Sequence, residues 1–231
     1  MSSYIDRRDE KIKTLIITPS LVSDIAVNCI SEKQITRDYE TAAYAAARFL
    51  YNVRGLPSDS IEIETSEKIY SVTRNAKNKK TAILLPKCKV ICANKAENVG
   101  VVDLNVSVFS YKNRIFKITK CARAEHFADS SLRALLRSGI GDSIDGVAAY
   151  SCFDGEVYAR YLLAKSDSVS DALYLLLSVA TAVFEKASVT DELKVKSDGF
   201  ELSVNRCGEM LSVSDEKCDI YTLGMPDNNL N

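Results

Sequence analysis

Two long runs of small and apolar residues constrain the fold of this chain more than any other feature of its sequence. The first, ETAAYAAARFLYNVRG, covers residues 40–55, and the second, SDALYLLLSVATAVFEKA, covers residues 170–187. Both are helical in character with apolar residues on almost every side, so each helix is expected to be surrounded by other elements. The rest of the chain must therefore supply enough structure to cover two helices.

Short segments with alternating apolar residues follow each of these helices, as is typical of antiparallel strands. After the first helix come IEIET, KIYSVTR and TAILLP, and after the second come LKVKS, FELSVN and EMLSVS. The repeated order predicts an α+β protein built by internal duplication, with two pseudo-symmetric halves. Each half is a curled, mostly antiparallel sheet around its central helix. We place the N-terminal half at residues 1–100 and the C-terminal half at residues 101–231, with the two helix starts facing a shared cleft.

The segments between these landmarks carry further local signals. Polar turn residues separate alternating runs, and short side-chain oxygens precede the first helix. These signals predict a cap at Thr36 or Asp38, a reversing turn in YKN at residues 111–113, an amphipathic helix over residues 122–139, a hairpin with strands at residues 147–152 and 156–164, and a last strand, DIYTLG, at residues 219–224. Residues 22–30 mix alternating and continuous apolar residues, which fits a strand or a short helix and favours the strand.

Charge and cysteine usage exclude several classes of function. The 231 residues include 30 Lys and Arg against 31 Asp and Glu, so no overall field attracts nucleic acid or an anionic membrane. No apolar run reaches the roughly 18 residues of a membrane span. The seven cysteines lack a CxxC pair and no secretory signal precedes them, which indicates reduced thiols in the cytoplasm. The single histidine, His126, reads as an exposed surface residue, and no metal site is expected.

The residues around both helices resemble a known family. The run AAYAAARFLYNVRGLPSDSIEIET resembles the first-half helix and strand of the diaminopimelate epimerase family, the pyridoxal-independent amino-acid epimerases and racemases. In the second half, DGEVYARYLL, LKVKSDGFELSVN and IYTLGMP resemble the family's last strands. The resemblance covers most of the chain from Tyr39 onward. It implies the epimerase fold and no cofactor.

The resemblance also locates the positions where the family carries its chemistry. In the family each central helix starts with a cysteine; one thiolate removes the substrate's α-proton and the other thiol delivers a proton from the opposite face. The matching positions here hold Tyr39 and Ala172. The resemblance thus implies a degenerate member, a pseudoenzyme that lacks both catalytic thiols and acts by binding a partner or a small ligand.

An alternative function remains open, that of a cofactor-independent amino-acid epimerase or isomerase with other acid and base residues. The candidates for those roles are Tyr39 or Glu40 at the first helix start and Asp171 at the second. In the competing interpretation Asp171 is a helix cap, and Tyr39 and Tyr44 are packing residues with their hydroxyls at the surface.

Binding residues and partners are expected on the same grounds. Thr41 and Tyr44 lie in the first helix start, and Asn105 is what remains of the family's glycine, asparagine and proline motif. The resemblance implies a small amino-acid-like ligand at these three residues. A homodimer or another protein partner is the other expected form of binding.

Overall fold

The structure is a computed structural model that describes residues 2–5, 12–31, 34–35, 39–75, 80–99, 102–138, 143–153, 155–164, 169–186, 192–198 and 200–215. The predicted caps Thr36 and Asp38 and the strand predicted at residues 219–224 lie outside the described residues. The described chain forms two compact units, one within Met1–Leu84 and the other within Leu85–Glu216. A division into halves at residue 100 stays a prediction.

The first unit is a sheet with one helix. In chain order its elements are β1 (Ser2–Ile5), β2 (Ile12–Thr18), β3 (Ile25–Ser31), β4 (Gln34–Ile35), α1 (Tyr39–Asn52), β5 (Ser60–Glu64), β6 (Ile69–Arg74) and β7 (Thr81–Pro86). The strand order is β1-β2-β3-β5-β6-β7, and β4 pairs with β3. All neighbours are antiparallel except β3 and β5, which run parallel.

The second unit has a longer sheet and two α-helices. Its elements are β8 (Lys89–Val99), β9 (Val102–Tyr111), β10 (Arg114–Lys120), a 3₁₀ turn (Ala124–His126), α2 (Asp129–Arg137), β11 (Gly146–Phe153), β12 (Glu156–Leu163), α3 (Val169–Lys186), β13 (Glu192–Ser197), β14 (Phe200–Cys207) and β15 (Met210–Asp215). The strand order is β15-β14-β13-β12-β11-β10-β9-β8. The pairs β10/β11 and β12/β13 are parallel, and the other pairs are antiparallel.

Each parallel pair of strands is bridged by a helix. Helix α1 lies between β3 and β5 in the chain, α2 between β10 and β11, and α3 between β12 and β13. Parallel neighbours need such a crossover because the chain must return to the same end of the sheet before the next strand begins. The described chain is therefore an α+β protein with mixed, mostly antiparallel sheets, as predicted, whereas duplication into pseudo-symmetric halves stays a prediction.

Helix α3 is enclosed on every side, as its composition predicted. Every residue from Ser170 to Phe184 is buried. Its two central hydroxyls are accommodated within the helix, because Ser178 donates to the Tyr174 carbonyl at 2.9 Å and Thr181 to the Leu177 carbonyl at 2.8 Å. None of the helices in the described segments is long and apolar enough to cross a membrane.

Helix α1 is enclosed through its alanines. Ala43, Ala46 and Ala47 have no exposed surface, so neighbouring backbone can approach the helix closely. The Tyr51 hydroxyl donates to the Val72 carbonyl of β6 at 3.3 Å, which ties the last turn to the sheet. The helix ends at Asn52, and Gly55 follows with a φ of 65°. A positive φ favours glycine, so this residue lets the chain turn away from the helix.

Three of the local predictions are confirmed. Strand β3 lies within the predicted residues 22–30 apart from its last residue, and β11 and β12 form the predicted antiparallel hairpin. Lys112 and Asn113 both have a positive φ, 47° and 63°, as the tight turn between β9 and β10 requires.

The single amphipathic helix predicted over residues 122–139 is wrong. The segment divides into the 3₁₀ turn and α2, because Phe127 and Ala128 are extended. Arg160 of β12 explains the break: its guanidinium donates to the Phe127 carbonyl at 2.9 Å, so a carbonyl that would otherwise bond along a helix is held by a distant strand. His126 is exposed, as predicted.

Helix α2 covers one face of the second unit's sheet. Leu132 and Leu135 pack in a buried cluster with Val106, Val147 and Ala149. Since β11 is buried at every position from Gly146 to Ser151, its opposite face is covered as well.

Because α3 is enclosed, a cavity beside one of its side chains should lower the stability of the protein substantially. Leu176→Ala, at a side chain with no exposed surface, should lower the free energy of unfolding by about 2–5 kcal/mol because both apolar burial and packing are lost. Leu21→Ala, at a fully exposed leucine, is the matched control and should change it by about 0.5 kcal/mol or less. Chemical denaturation followed by circular dichroism measures both. Equal effects would show that α3 is not enclosed.

Candidate functional site

The start of helix α1 holds a buried carboxyl group rather than an open one. Tyr39 is the first residue of the helix and is half-buried, and Glu40 follows with no exposed surface. The hydroxyl of Tyr70, on β6, lies 2.8 Å from Glu40 Oε1 and 2.6 Å from Glu67 Oε2. Glu40 is therefore bound to a side chain of the strand that α1 packs against.

The Tyr70 hydroxyl has one proton and lies within hydrogen-bond distance of two carboxyl oxygens, so it donates to one of them at a time. Burial raises the pKa of the Tyr70 phenol far above its ordinary value of 10.0, and the hydrogen bonds and negative charges of Glu67 and Glu40 raise this pKa further. The phenol is consequently neutral at neutral pH. These contacts make Glu40 an internal partner of Tyr70.

The next residues of α1 also face the interior. Thr41 is half-buried, and Tyr44 is only 8% exposed, with its hydroxyl donating to the Thr81 carbonyl of β7 at 3.0 Å. The expectation that the Tyr44 hydroxyl lies at the surface is wrong, because the sheet folds over this side of the helix and offers a carbonyl to the phenol. That Thr41 and Tyr44 bind a ligand stays a prediction.

The start of helix α3 is held by an ion pair. Arg114, the first residue of β10, places its Nε 3.2 Å from Asp171 Oδ1 and its Nη1 3.0 Å from Asp145 Oδ1. Asp145 Oδ2 accepts a hydrogen bond from the backbone N–H of Ile115 at 2.8 Å. This bond fixes the Asp145 carboxylate beside Arg114. Asp171 lies in the first turn of α3, where a negative charge also complements the helix dipole.

The other residues of the predicted site take no part in the contacts of Glu40 or Asp171. Ala172 is 3% exposed inside α3, and Asn105 is an exposed residue of β9 whose backbone carbonyl accepts the Thr119 hydroxyl at 3.1 Å. Tyr39 and Glu40 belong to the first unit, and Asp171, Ala172 and Asn105 to the second. That the two helix starts face each other stays a prediction.

A thiol does lie against α3, but in its middle. Cys88 is buried, its backbone N–H donates to the Thr181 hydroxyl at 3.4 Å, and the Ser178 hydroxyl is 3.3 Å from its Sγ. Burial raises the pKa of the Cys88 thiol from 9.0 to about 12, and the hydrogen bonds from Ser178 and Thr181 offset only part of that rise. A thiol in this state holds little thiolate at neutral pH, so it is a packing residue and a poor base.

Sequence reasoning found the two carboxyl groups at the helix starts but missed the residues that bind them. Tyr70 occupies an inward position of the alternating run KIYSVTR, and Arg114 directly follows the YKN turn. Alternation predicts which strand residues point inward, but it does not predict which helix residue they reach. Among the described residues, no three His, Cys, Asp or Glu side chains form a group suited to a metal ion.

Comparison with solved structures identifies the fold. The chain is similar to a phenazine biosynthesis PhzC/PhzF protein from Clostridium difficile, with a TM-score of 0.62 and 14% identity over 92% of this chain and 81% of that one. It is also similar to a PhzF-family phenazine biosynthesis protein from Enterococcus faecalis, with a TM-score of 0.58 and 13% identity over 87% and 78%. No protein-family model and no curated protein matches the sequence.

These likenesses establish the fold alone. PhzF proteins have the diaminopimelate epimerase-like fold, so the chain has that fold. The fold that the sequence resemblance implied is thereby confirmed at this coarser level. That the chain belongs to the diaminopimelate epimerase family itself, and that it has lost the family's chemistry, stay predictions.

The contacts of Glu40 predict that Tyr70 stabilises the fold. Tyr70→Phe removes the hydroxyl that donates to buried Glu40, and the unfolding free energy should fall by about 1–3 kcal/mol, the usual contribution of a hydrogen bond to a carboxyl group. Tyr158→Phe is the matched control, because its hydroxyl donates to Asp198 in an exposed position. Thermal and chemical unfolding should show the smaller loss for Tyr158→Phe. The reverse order would contradict a structural role for Glu40 and Tyr70.

The state of Cys88 predicts the order in which thiols react. In the folded protein at pH 8, iodoacetamide should alkylate exposed Cys207 first and exposed Cys152 more slowly, because the pKa of the Cys152 thiol is raised by partial burial. Cys88 should react only after unfolding. Mass spectrometry of digested protein at successive times measures all three. Alkylation of Cys88 at the rate of Cys207 would show an accessible, activated thiol beside α3.

Proposed function

We propose that this protein, which has the diaminopimelate epimerase-like fold, is a non-catalytic member of that group and acts by binding a partner or a small ligand. The observation that carries the proposal is the burial of Glu40 against Tyr70. A general base must reach a substrate proton directly or through one water, and a carboxyl group enclosed by its own sheet does not. Tyr39, at the position of the family's first cysteine, has no thiol to offer in its place.

The second helix start supports the same proposal. Asp171 is 7% exposed and paired with Arg114, which also contacts Asp145. Such a pair fixes the start of α3 to β10, as a structural ion pair does. Ala172, at the position of the family's second cysteine, offers no group for proton transfer.

The second candidate function is a cofactor-independent amino-acid epimerase or isomerase. It is favoured by the fold and by one specific observation, a carboxyl group within the first three residues of both α1 and α3. In this case Glu40 and Asp171 would exchange protons with the substrate, and both would have to leave their internal partners first. We regard it as the weaker candidate for that reason.

For the binding function, a second copy of this chain or another protein is the proposed partner class. Exposed apolar side chains of the second unit, Val90, Ile91 and Phe153, provide surface for such a contact. In this proposal the protein works in the cytoplasm, needs no cofactor and binds neither nucleic acid nor membrane.

The proposal predicts that purified protein does not exchange the α-hydrogen of amino acids. Incubation with diaminopimelate, proline and other amino acids in deuterated water should give the same deuterium incorporation as buffer alone, measured by proton NMR. An active pyridoxal-independent epimerase serves as the positive control. Exchange above the buffer rate that is lost in both Glu40→Gln and Asp171→Asn would overturn the proposal and establish the isomerase.

A further inference from the structure

A pocket lies between α2 and β12 in the second unit. Its volume is about 360 Å³, within the range of about 300 to 1,000 Å³ typical of small-molecule sites. It contains none of the site residues predicted from the sequence. The lining residues are Asp129, Leu132, Arg133, Ala159, Arg160, Tyr161, Leu162 and Asp198.

One wall of the pocket is held in place by Arg160. Its Nη2 donates to Asp129 Oδ1 at 2.7 Å and its Nη1 donates to the Phe127 carbonyl at 2.9 Å. These bonds fix the start of α2 against β12 in the absence of a ligand. Little conformational entropy of this wall is therefore lost when a ligand binds. The charges of Arg160 and Asp129 cancel each other within this wall.

Two charged side chains of the lining remain for a ligand. Arg133 is exposed, one helical turn after Asp129, and it makes no hydrogen bond or ion pair with the described part of the chain. Asp198 follows β13 and accepts one hydrogen bond, from the Tyr158 hydroxyl at 2.8 Å, which leaves a carboxylate with capacity for further donors. One positive and one negative group therefore line the same pocket.

The balance of charge selects the kind of ligand. With two arginines and two aspartates the lining has no net charge, which disfavours phosphates and other multiply charged anions. A zwitterion with one carboxylate and one ammonium matches the two available groups. Leu132 and Leu162 supply apolar surface for the remainder of the molecule.

We propose that the pocket between α2 and β12 binds a free α-amino acid with an apolar side chain. Arg133 receives the carboxylate, Asp198 receives the ammonium group, and Leu132 and Leu162 contact the side chain. The inference rests on the proposed binding function and gives it a site and a ligand class.

The probe for the test is L-phenylalanine, with two analogues that each lack one charge. L-Phenylalaninamide has no carboxylate and N-acetyl-L-phenylalanine has no ammonium group. Titration of the full chain, followed by isothermal calorimetry and by amide NMR shifts in α2 and β12, should show binding of L-phenylalanine. Both analogues should bind about tenfold more weakly or worse, because each loses a charge-assisted hydrogen bond.

Matched variants of one helix test the site itself. Arg133→Ala should weaken L-phenylalanine binding by about tenfold or more, whereas Arg137→Ala, at an exposed arginine of α2 outside the lining, should change it by less than about twofold. Asp198→Asn keeps an oxygen for Tyr158 and removes only the charge, so it should weaken L-phenylalanine binding while leaving N-acetyl-L-phenylalanine unaffected.

Several outcomes would overturn the inference: no binding of L-phenylalanine to the unaltered protein, equal binding of all three probes, or equal binding by the Arg133→Ala and Arg137→Ala variants. Each leaves the proposed function standing as long as no α-hydrogen exchange occurs. Exchange of the α-hydrogen, in contrast, would refute the proposed function whether or not L-phenylalanine binds in this pocket.

Discussion

The enclosure of helix α3 is the constraint on which the second unit depends. A helix with buried residues at every position from Ser170 to Phe184 has no face that water can cover, so strands must surround it before it is stable. The parallel pair β12/β13 follows from this requirement, since the chain leaves the sheet, passes through α3 and returns beside the strand it left. Helix α1 must likewise be covered by the sheet of the first unit. Its buried residues are mostly alanines, whose small side chains allow the sheet to approach closely.

Enclosed helices have a consequence for chemistry, because side chains at their starts are drawn into the packing. Glu40 is bound by Tyr70 and Asp171 by Arg114, and each partner comes from a strand beside the helix. In both units the residue at the helix start is thereby held by contacts within the fold.

The sequence was sufficient for the parts of the fold that depend on local pattern. The lengths of α1 and α3, the strands after them and the turn at Lys112 and Asn113 follow from composition, alternation and turn chemistry, and the family resemblance led to the correct fold. The predicted helix over residues 122–139 failed because Arg160, more than thirty residues later, captures the Phe127 carbonyl. The partner of Glu40 could not be predicted from local pattern either, because Tyr70 is thirty residues away in the sequence and only the folded sheet brings the two together.

A double-mutant cycle between Glu40 and Tyr70 tests most directly whether Glu40 serves the structure. The unfolding free energies of Glu40→Gln, Tyr70→Phe and the double variant are compared with that of the unaltered protein. A structural role predicts that both single changes destabilise and that their effects are coupled by about 1 kcal/mol or more. A residue kept for catalysis at the expense of stability would behave differently, and a rise in stability in Glu40→Gln, with no coupling to Tyr70, would contradict this account.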